Sequence, residues 1–240
     1  MDAFDILATG AHPDDVELVM GGTVARETAR GGRVALLDLT RGERGSRGTP
    51  ETRMEEAQAA ARVLGAAHRE TLALPDAGLQ PVPEQRDTGL AVVRRLRPRV
   101  VLTQHWDQRH PDHAAASRIV YEACFFAGLR NYRPDLGEAW RPRKLAYAVT
   151  MTEVTDIRPS FVVDISAVWD TKLQAIAAYQ SQWTPPPGET QKLPLDLFRE
   201  RVELAGRRHG QRIGVPYGEA WVTREPLVVD DLLALEGESL

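Results

Sequence analysis

Four short apolar runs, each closed by a turn signal or a polar motif, alternate with segments of helical periodicity across the first hundred or so residues. Phe4 to Thr9, closed by Gly10, is the first run, and Arg33 to Thr40 the second. Thr71 to Leu74 and Arg99 to Thr103 are the third and fourth. Short apolar runs bounded by turn residues read as buried strands. Between them lie predicted helices near Val16–Ala29, Thr52–Leu64 and residues 84–97, stopped by Gly31-Gly32, Gly65 and Pro98. Strand and helix in strict alternation imply right-handed crossovers and a mainly parallel sheet with helices on both faces. The expected fold is therefore an α/β sandwich of three layers, α/β/α.

Beyond this the pattern predicts a helix over 113–127, with Ile119, Ala123 and Phe126 inward. Strands are expected near Leu145–Met151, Phe161–Val163 and Glu219–Thr223, and helices near Ala167–Gln182 and Leu195–Arg208. TPPPG at 184–188 reads as a loop, but no shift in composition marks a linker, so residues 1–240 are expected to form one domain. No internal repeat or low-complexity stretch is present.

A formal charge of −4 leaves no global positive field for nucleic acid or anionic lipid, so neither is an expected partner. All the basic residues but Lys144, Lys172 and Lys192 are arginines, which reads as a compositional bias before it reads as a set of binding sites. The single cysteine, Cys124, excludes intramolecular disulfides and cysteine-built zinc knuckles. The opening segment has no basic n-region, and no run approaches the roughly 18 apolar residues of a membrane span. The expected location is the cytoplasm.

In an open α/β sheet, ligands bind outside the carboxyl ends of the strands. Two motifs fall there. The first strand runs into Ala11-His12-Pro13-Asp14-Asp15, and the strand at 99–103 runs into His105-Trp106-Asp107-Gln108-Arg109-His110-Pro111-Asp112-His113. Both loops are thus expected on one edge of the sheet. A dinucleotide site would need its glycine fingerprint at the first turn; Asp14 and Asp15 would instead repel a pyrophosphate, and neither G-x-G-x-x-G nor a P-loop occurs. The segment Gly42 to Gly48 also misses the G-x-S-x-G elbow of serine hydrolases, because Arg44 stands in the first glycine position.

Hydrolytic metal sites commonly take imidazole and carboxylate ligands and keep a position for water. His12 and Asp15 lie three apart on one turn, and a second histidine from the 105–113 loop would complete a set. Asp14 would then be free to accept a proton from an acidified water. His110 is one turn ahead of His113 and suits an oxyanion or a leaving amine, while Asp112 suits the orientation of an imidazole. His68 and His209, in charged surroundings, are expected at the surface; His105 is either a support for the site or a packing partner of Trp106.

AHPDDVELVMGGT followed by HPDH resembles the LmbE-like (PIG-L) zinc-dependent N-deacetylases. DLTRGERGSRGTPETRMEEAQAAARVLG, LPDAGL, RPRVVLTQHWDQRHPDHAAASRIV and FVVDIS are similar to the bacillithiol biosynthesis branch, which acts on N-acetylglucosaminyl malate. The resemblance implies a Rossmann-like sandwich in homo-oligomers (dimers or hexamers) and an N-acetylated amino sugar as small-molecule substrate. It implies Zn2+, or another divalent ion such as Fe2+, on His12, Asp15 and His113. Asp14 becomes the general base, His110 the group that stabilises the oxyanion, and Asp112 the carboxylate partner of the histidine. Arg53 is implied to reach sugar hydroxyls, Arg109 to add a substrate contact, and Arg41, Arg44 and Arg47 either to bind the malate carboxylates or to be solvated. The segment GETQKLPL departs from the family pattern in lacking a tyrosine for the oxyanion. Other N-acetyl sugars (mycothiol precursors, diacetylchitobiose, antibiotic pseudo-sugars) and a non-catalytic sugar- or metal-binding module are the alternative expectations.

Overall fold

The computed structural model describes residues 3–150, 157–184 and 195–231. Seven strands form one sheet in the order β3-β2-β1-β4-β5-β7-β6. β1 (Ile6–Gly10), β2 (Val34–Thr40), β3 (His68–Leu74), β4 (Val100–Gln104) and β5 (Lys144–Val149) run parallel. β7 (Gly218–Val222) lies antiparallel between β5 and β6 (Phe161–Asp164). The three-layer, mainly parallel expectation holds, with an antiparallel insertion at one edge.

The central strands are apolar throughout because both faces are covered. Every residue of β1 and β2 is buried. Leu7, Leu37 and Val101 point to a layer containing α3 (Pro83–Leu96) and α4 (Pro111–Ala127). Ile6, Ala8, Leu36 and Leu102 point to the opposite layer, containing α1 (Asp15–Ala29), α2 (Pro50–Val63) and α5 (Trp169–Ala177). Burial on both faces is what distinguishes such strands from the half-solvated strands of antiparallel sheets. A third, smaller cluster joins Trp169 and Ile176 to Val202 of α7 (Leu195–Gln211).

The helix expected over 167–182 is instead broken into a 3-10 turn, α5 and the short α6 (Gln180–Trp183). Tyr179 takes φ −82° and ψ 62° between them, and its fully buried ring holds the break in place. The strand expected to reach Met151 ends at Val149, and residue 151 lies outside the described residues. Among the described residues no helix is long and apolar enough to cross a membrane.

β1 has β2 on one side and β4 on the other, so the crossovers leave it in opposite directions. That reversal opens a crevice at the carboxyl ends of β1 and β4. The loops carrying the two histidine motifs leave the sheet there.

Candidate metal centre

The first loop is pinned from both sides. The Ala11 amide donates to Gln104 Oε1 of β4 at 3.1 Å, and the Ala11 carbonyl accepts from the Thr40 amide of β2 at 2.9 Å. The chain then turns tightly. The His12 amide donates to Asp15 Oδ2 at 2.7 Å, and the Asp15 amide donates to the His12 carbonyl at 3.3 Å. A Cβ on Gly10 would stand 2.8 Å from that of Asp15, so only glycine allows the turn to close this far. Asp14, the residue before α1, has φ 107°, a left-handed conformation that side-chain-bearing residues avoid.

The second loop enters α4 through its own histidine. His110 is the N-cap, its Nδ1 accepts from the Asp112 amide at 3.2 Å, and Pro111 follows at the first helical position. One turn on, His113 brings Nε2 to 3.3 Å from Asp15 Oδ1, while His12 Nδ1 lies 3.4 Å from Asp15 Oδ2. Metal–ligand bonds of about 2.0–2.2 Å at tetrahedral angles separate donors by roughly 3.3–3.6 Å. The donor atoms of His12, Asp15 and His113 all lie within 4.8 Å of one another, and so do those of a second trio, His12, His110 and Asp112. The first trio has the donor chemistry of a zinc-type site, and each histidine meets one oxygen of Asp15 at such a separation.

Carboxylates dominate the electrostatics. Burial works against charge on His12, but Asp15, Asp76 and Asp14 outweigh it and raise its pKa to about 9. Burial pushes the Asp14 carboxyl up to about 7, against the pull of Arg53 and with the help of Asp15. Asp15 is buried too, yet His113 and His12 hold it well below the usual carboxylate range. His110 is lowered by burial and by the neighbouring His113 and His12. A concentration of acidic groups around two imidazoles favours a cation between them.

The family model for GlcNAc-PI de-N-acetylases, PIG-L, matches residues 7–124. The diacetylchitobiose deacetylase of Thermococcus kodakarensis is 33% identical over 223 residues, spanning 88% of this chain and 81% of that protein. The chain belongs to the PIG-L family. The conserved protein TT1542 of Thermus thermophilus superposes with a TM-score of 0.83 at 41% identity, covering 95% of this chain and 98% of the other. The 4-oxalmesaconate hydratase of Pseudomonas putida is 31% identical over 192 residues, 73% of each chain. Relatives of this chain are therefore not confined by name to deacetylases.

Within this PIG-L chain the expected residues converge unequally. Arg53 is buried at 5% exposure, and its guanidinium donates to Asp14 Oδ2 at 3.1 Å, to the Gly42 carbonyl at 3.3 Å and to the Pro13 carbonyl. These bonds hold Asp14 in place. A Cβ on Gly42, at φ 66°, would stand 2.1 Å from Arg53 Nη1, so the loop needs glycine to admit this side chain. The Asp112 carboxylate accepts from the Ala77 amide at 2.7 Å and the Leu79 amide at 3.4 Å, and lies 3.4 Å from His12 Nε2. Expected beside an imidazole, its carboxylate lies against His12, and its own amide donates to His110 Nδ1. Arg109 is exposed. Arg41 and Arg44 are exposed as well, and Arg47 donates to the Gln182 carbonyl at 2.7 Å.

His105 is buried and stacks on Trp106 with ring centroids 3.9 Å apart, the packing alternative. His68 is half-buried beside Glu70. His209 is a correction: it is buried at 6% exposure, inside α7, not at the surface. The segment without the family tyrosine, residues 188–195, lies outside the described residues save for Leu195. Sequence reasoning missed Asp76, which accepts from the Arg44 amide at 2.7 Å and lies 3.0 Å from His12 Nε2. It follows the end of β3, so the carboxyl-end rule already applied to β1 and β4 would have found it.

Proposed function

We propose that this chain is a metal-dependent hydrolase that removes the acetyl group from an N-acetylated amino sugar, with zinc held by His12, Asp15 and His113. The observation that carries the reading is Asp14: a carboxylate fixed beside the donor trio by Arg53 and left outside it. A site that only bound a metal or a sugar would have no use for an acid–base group held there against backbone strain. Its relatives include the diacetylchitobiose deacetylase described above.

When bound, the ion supplies Lewis acidity, polarising the acetyl carbonyl and lowering the pKa of the attacking water. Asp14 takes the proton from that water as its oxygen adds to the carbonyl carbon. His110 has its Nδ1 occupied as an acceptor, which leaves the proton of the neutral ring on Nε2. That N–H donates to the tetrahedral oxyanion. As the C–N bond breaks, the proton held by Asp14 passes to the departing nitrogen with the assistance of His110. Acetate and a free amine result. Arg53 and Asp112 act by position, Arg53 on Asp14 and Asp112 on His12. Arg109, exposed beside the motif, is assigned a contact with the sugar.

The finer reading is N-acetylglucosaminyl malate as substrate, supported by the segments that resemble the bacillithiol branch and by the exposed Arg41 and Arg44 near the carboxyl end of β2. Acetate release should be measured from this compound, from N-acetylglucosamine and from diacetylchitobiose, with zinc content determined on the same preparation. Faster release with the malate present supports the assignment, and equal rates remove it. A hydratase is the second reading, favoured by the Pseudomonas putida relative. Turnover of 4-oxalmesaconate without acetate release from any N-acetyl sugar would replace the first reading with the second.

A further inference from the structure

Two kinds of surface meet at the donor trio. On one side stand Asp14, Asp76, Asp112 and His110, all polar. On the other a cavity of about 170 Å³ has Asp15 and His113 in its wall. Leu18 and Val19 of α1, Val149 at the end of β5, and Phe198, Val202 and Ala205 of α7 supply its apolar lining. Of its other charged lining residues, Glu219 is engaged through both oxygens and Lys172 is paired with it. Glu219 Oε1 accepts from Lys172 Nζ at 2.5 Å and from the Gly22 amide at 2.9 Å, while Oε2 accepts from the Thr23 amide at 2.7 Å. The pair neutralises itself, so the cavity carries no net charge from it. The cavity suits alkyl.

We propose that this cavity is the acyl pocket of the site, and that it admits N-acyl groups up to about six carbons long, a capacity set by comparison with apolar cavities of about 150 Å³ that take up benzene. The inference rests on the amide-hydrolase reading. An amide carbonyl held at the trio has two substituents. A hydroxyl-rich sugar on the nitrogen matches the polar side, and the carbon substituent is then directed to the apolar side. An acetyl methyl would fill only a small part of 170 Å³. A longer chain would displace more water and bury more apolar surface, with no change in the bonds made and broken: water adds to the carbonyl, the C–N bond breaks, and a carboxylate and an amine leave.

The test is a chain-length series read in two ways on the zinc-loaded protein. N-acetyl-, N-butanoyl-, N-hexanoyl- and N-decanoylglucosamine are compared as substrates by kcat/KM, and the corresponding free carboxylates are titrated by calorimetry. Each methylene should improve both values by about fourfold up to six carbons, the ordinary gain for a buried CH₂, and the ten-carbon chain should lose that gain. Ala205→Phe, which fills the cavity, should collapse the butanoyl and hexanoyl values toward the acetyl value; Ala205→Leu should do so in part and guards against a misfolded first variant. A flat or steadily falling series in both measurements overturns the proposal, as does an Ala205→Phe variant that is folded and keeps the hexanoyl gain. If carboxylate affinity rises with chain length while no acylglucosamine is hydrolysed, the pocket stands and the hydrolase reading falls.

Discussion

The Arg53 guanidinium donates to Asp14 Oδ2 at 3.1 Å while also donating to the backbone carbonyls at Pro13 and Gly42. One side chain from α2 therefore clamps the turn after β1 and the carboxylate assigned as base. The backbone at Asp14 is held at φ 107° within this clamp. The positions of the base and of the turn cannot vary independently.

Asp14→Asn should keep the fold and the metal but lose activity. Asparagine tolerates left-handed φ better than most residues and still offers Arg53 an acceptor. Turnover should fall by about 10²–10⁴, the span expected for removing a general base, with the melting temperature unchanged or slightly raised. Turnover within a few-fold of the parent enzyme would remove Asp14 from the mechanism.

Replacing a donor should act on metal content first. On the proposed assignment, His113→Ala is expected to lose zinc in elemental analysis and any thermal stabilisation that zinc would give the parent protein. A ligand present at a thousand times its Kd stabilises by about 4 kcal/mol, so chelation of the parent should lower its melting temperature by several degrees. Stoichiometric zinc in His113→Ala would contradict the ligand assignment.

A second buried cluster ties α1 to β2 and β3. Arg69 Nε and Nη2 each donate to Asp38 at 2.8 Å, and Nη1 donates to Glu17 of α1. All three side chains are fully buried. Arg69→Ala would leave two carboxylates unpaired in the interior, at a cost of about 3–5 kcal/mol. Chemical denaturation should show this loss, whereas Arg69→Met together with Asp38→Asn and Glu17→Gln should recover part of it. A folded Arg69→Ala of parental stability would show that the triad contributes nothing net.

His209 should make the fold sensitive to acid. Burial, and then the charges of Arg212 and Arg208, lower its pKa to about 4. The unfolded chain binds a proton near pH 6.5, so below that point protonation favours the unfolded state. The contribution of the neutral ring is fully present above pH 6.5 and is lost as the pH falls toward 4, by on the order of 1–2 kcal/mol at pH 5. His209→Gln should flatten this part of the stability curve when both proteins are denatured with urea between pH 7 and 5. Parallel curves for the two proteins would exclude it.

The buried parallel strands and the two histidine motifs were legible because each is local: such a strand announces itself in five to seven residues, and its carboxyl end follows at once. The misread residues depend on which way a helix faces. Arg53 entered through the family resemblance alone, and the helical face it shares with the buried Ala57, Ala60 and Ala61 was not read. His209 stands among arginines, but Val202, Gly206 and His209 recur at helical spacing on the buried side of α7. Periodicity outweighed residue type in both places. The break at Tyr179 had no glycine or proline to announce it, since tertiary packing made it. Asp76 was within reach of the carboxyl-end rule, two residues past β3, and its contact with His12 is what the folded sheet adds.

The missing side chain at Gly10 reaches further than the turn it permits. Asp15 can approach β1 only because that position is bare, so the register of the central strand and the position of a proposed metal donor are one variable. With an ion on His12, Asp15 and His113, the binding free energy is shared with the middle of the sheet. A cell starved of that ion would then hold less of the protein as well as a less active one, because the metal-free chain opens more often and is cleared faster. Metal supply would regulate abundance through the stability of the innermost strand.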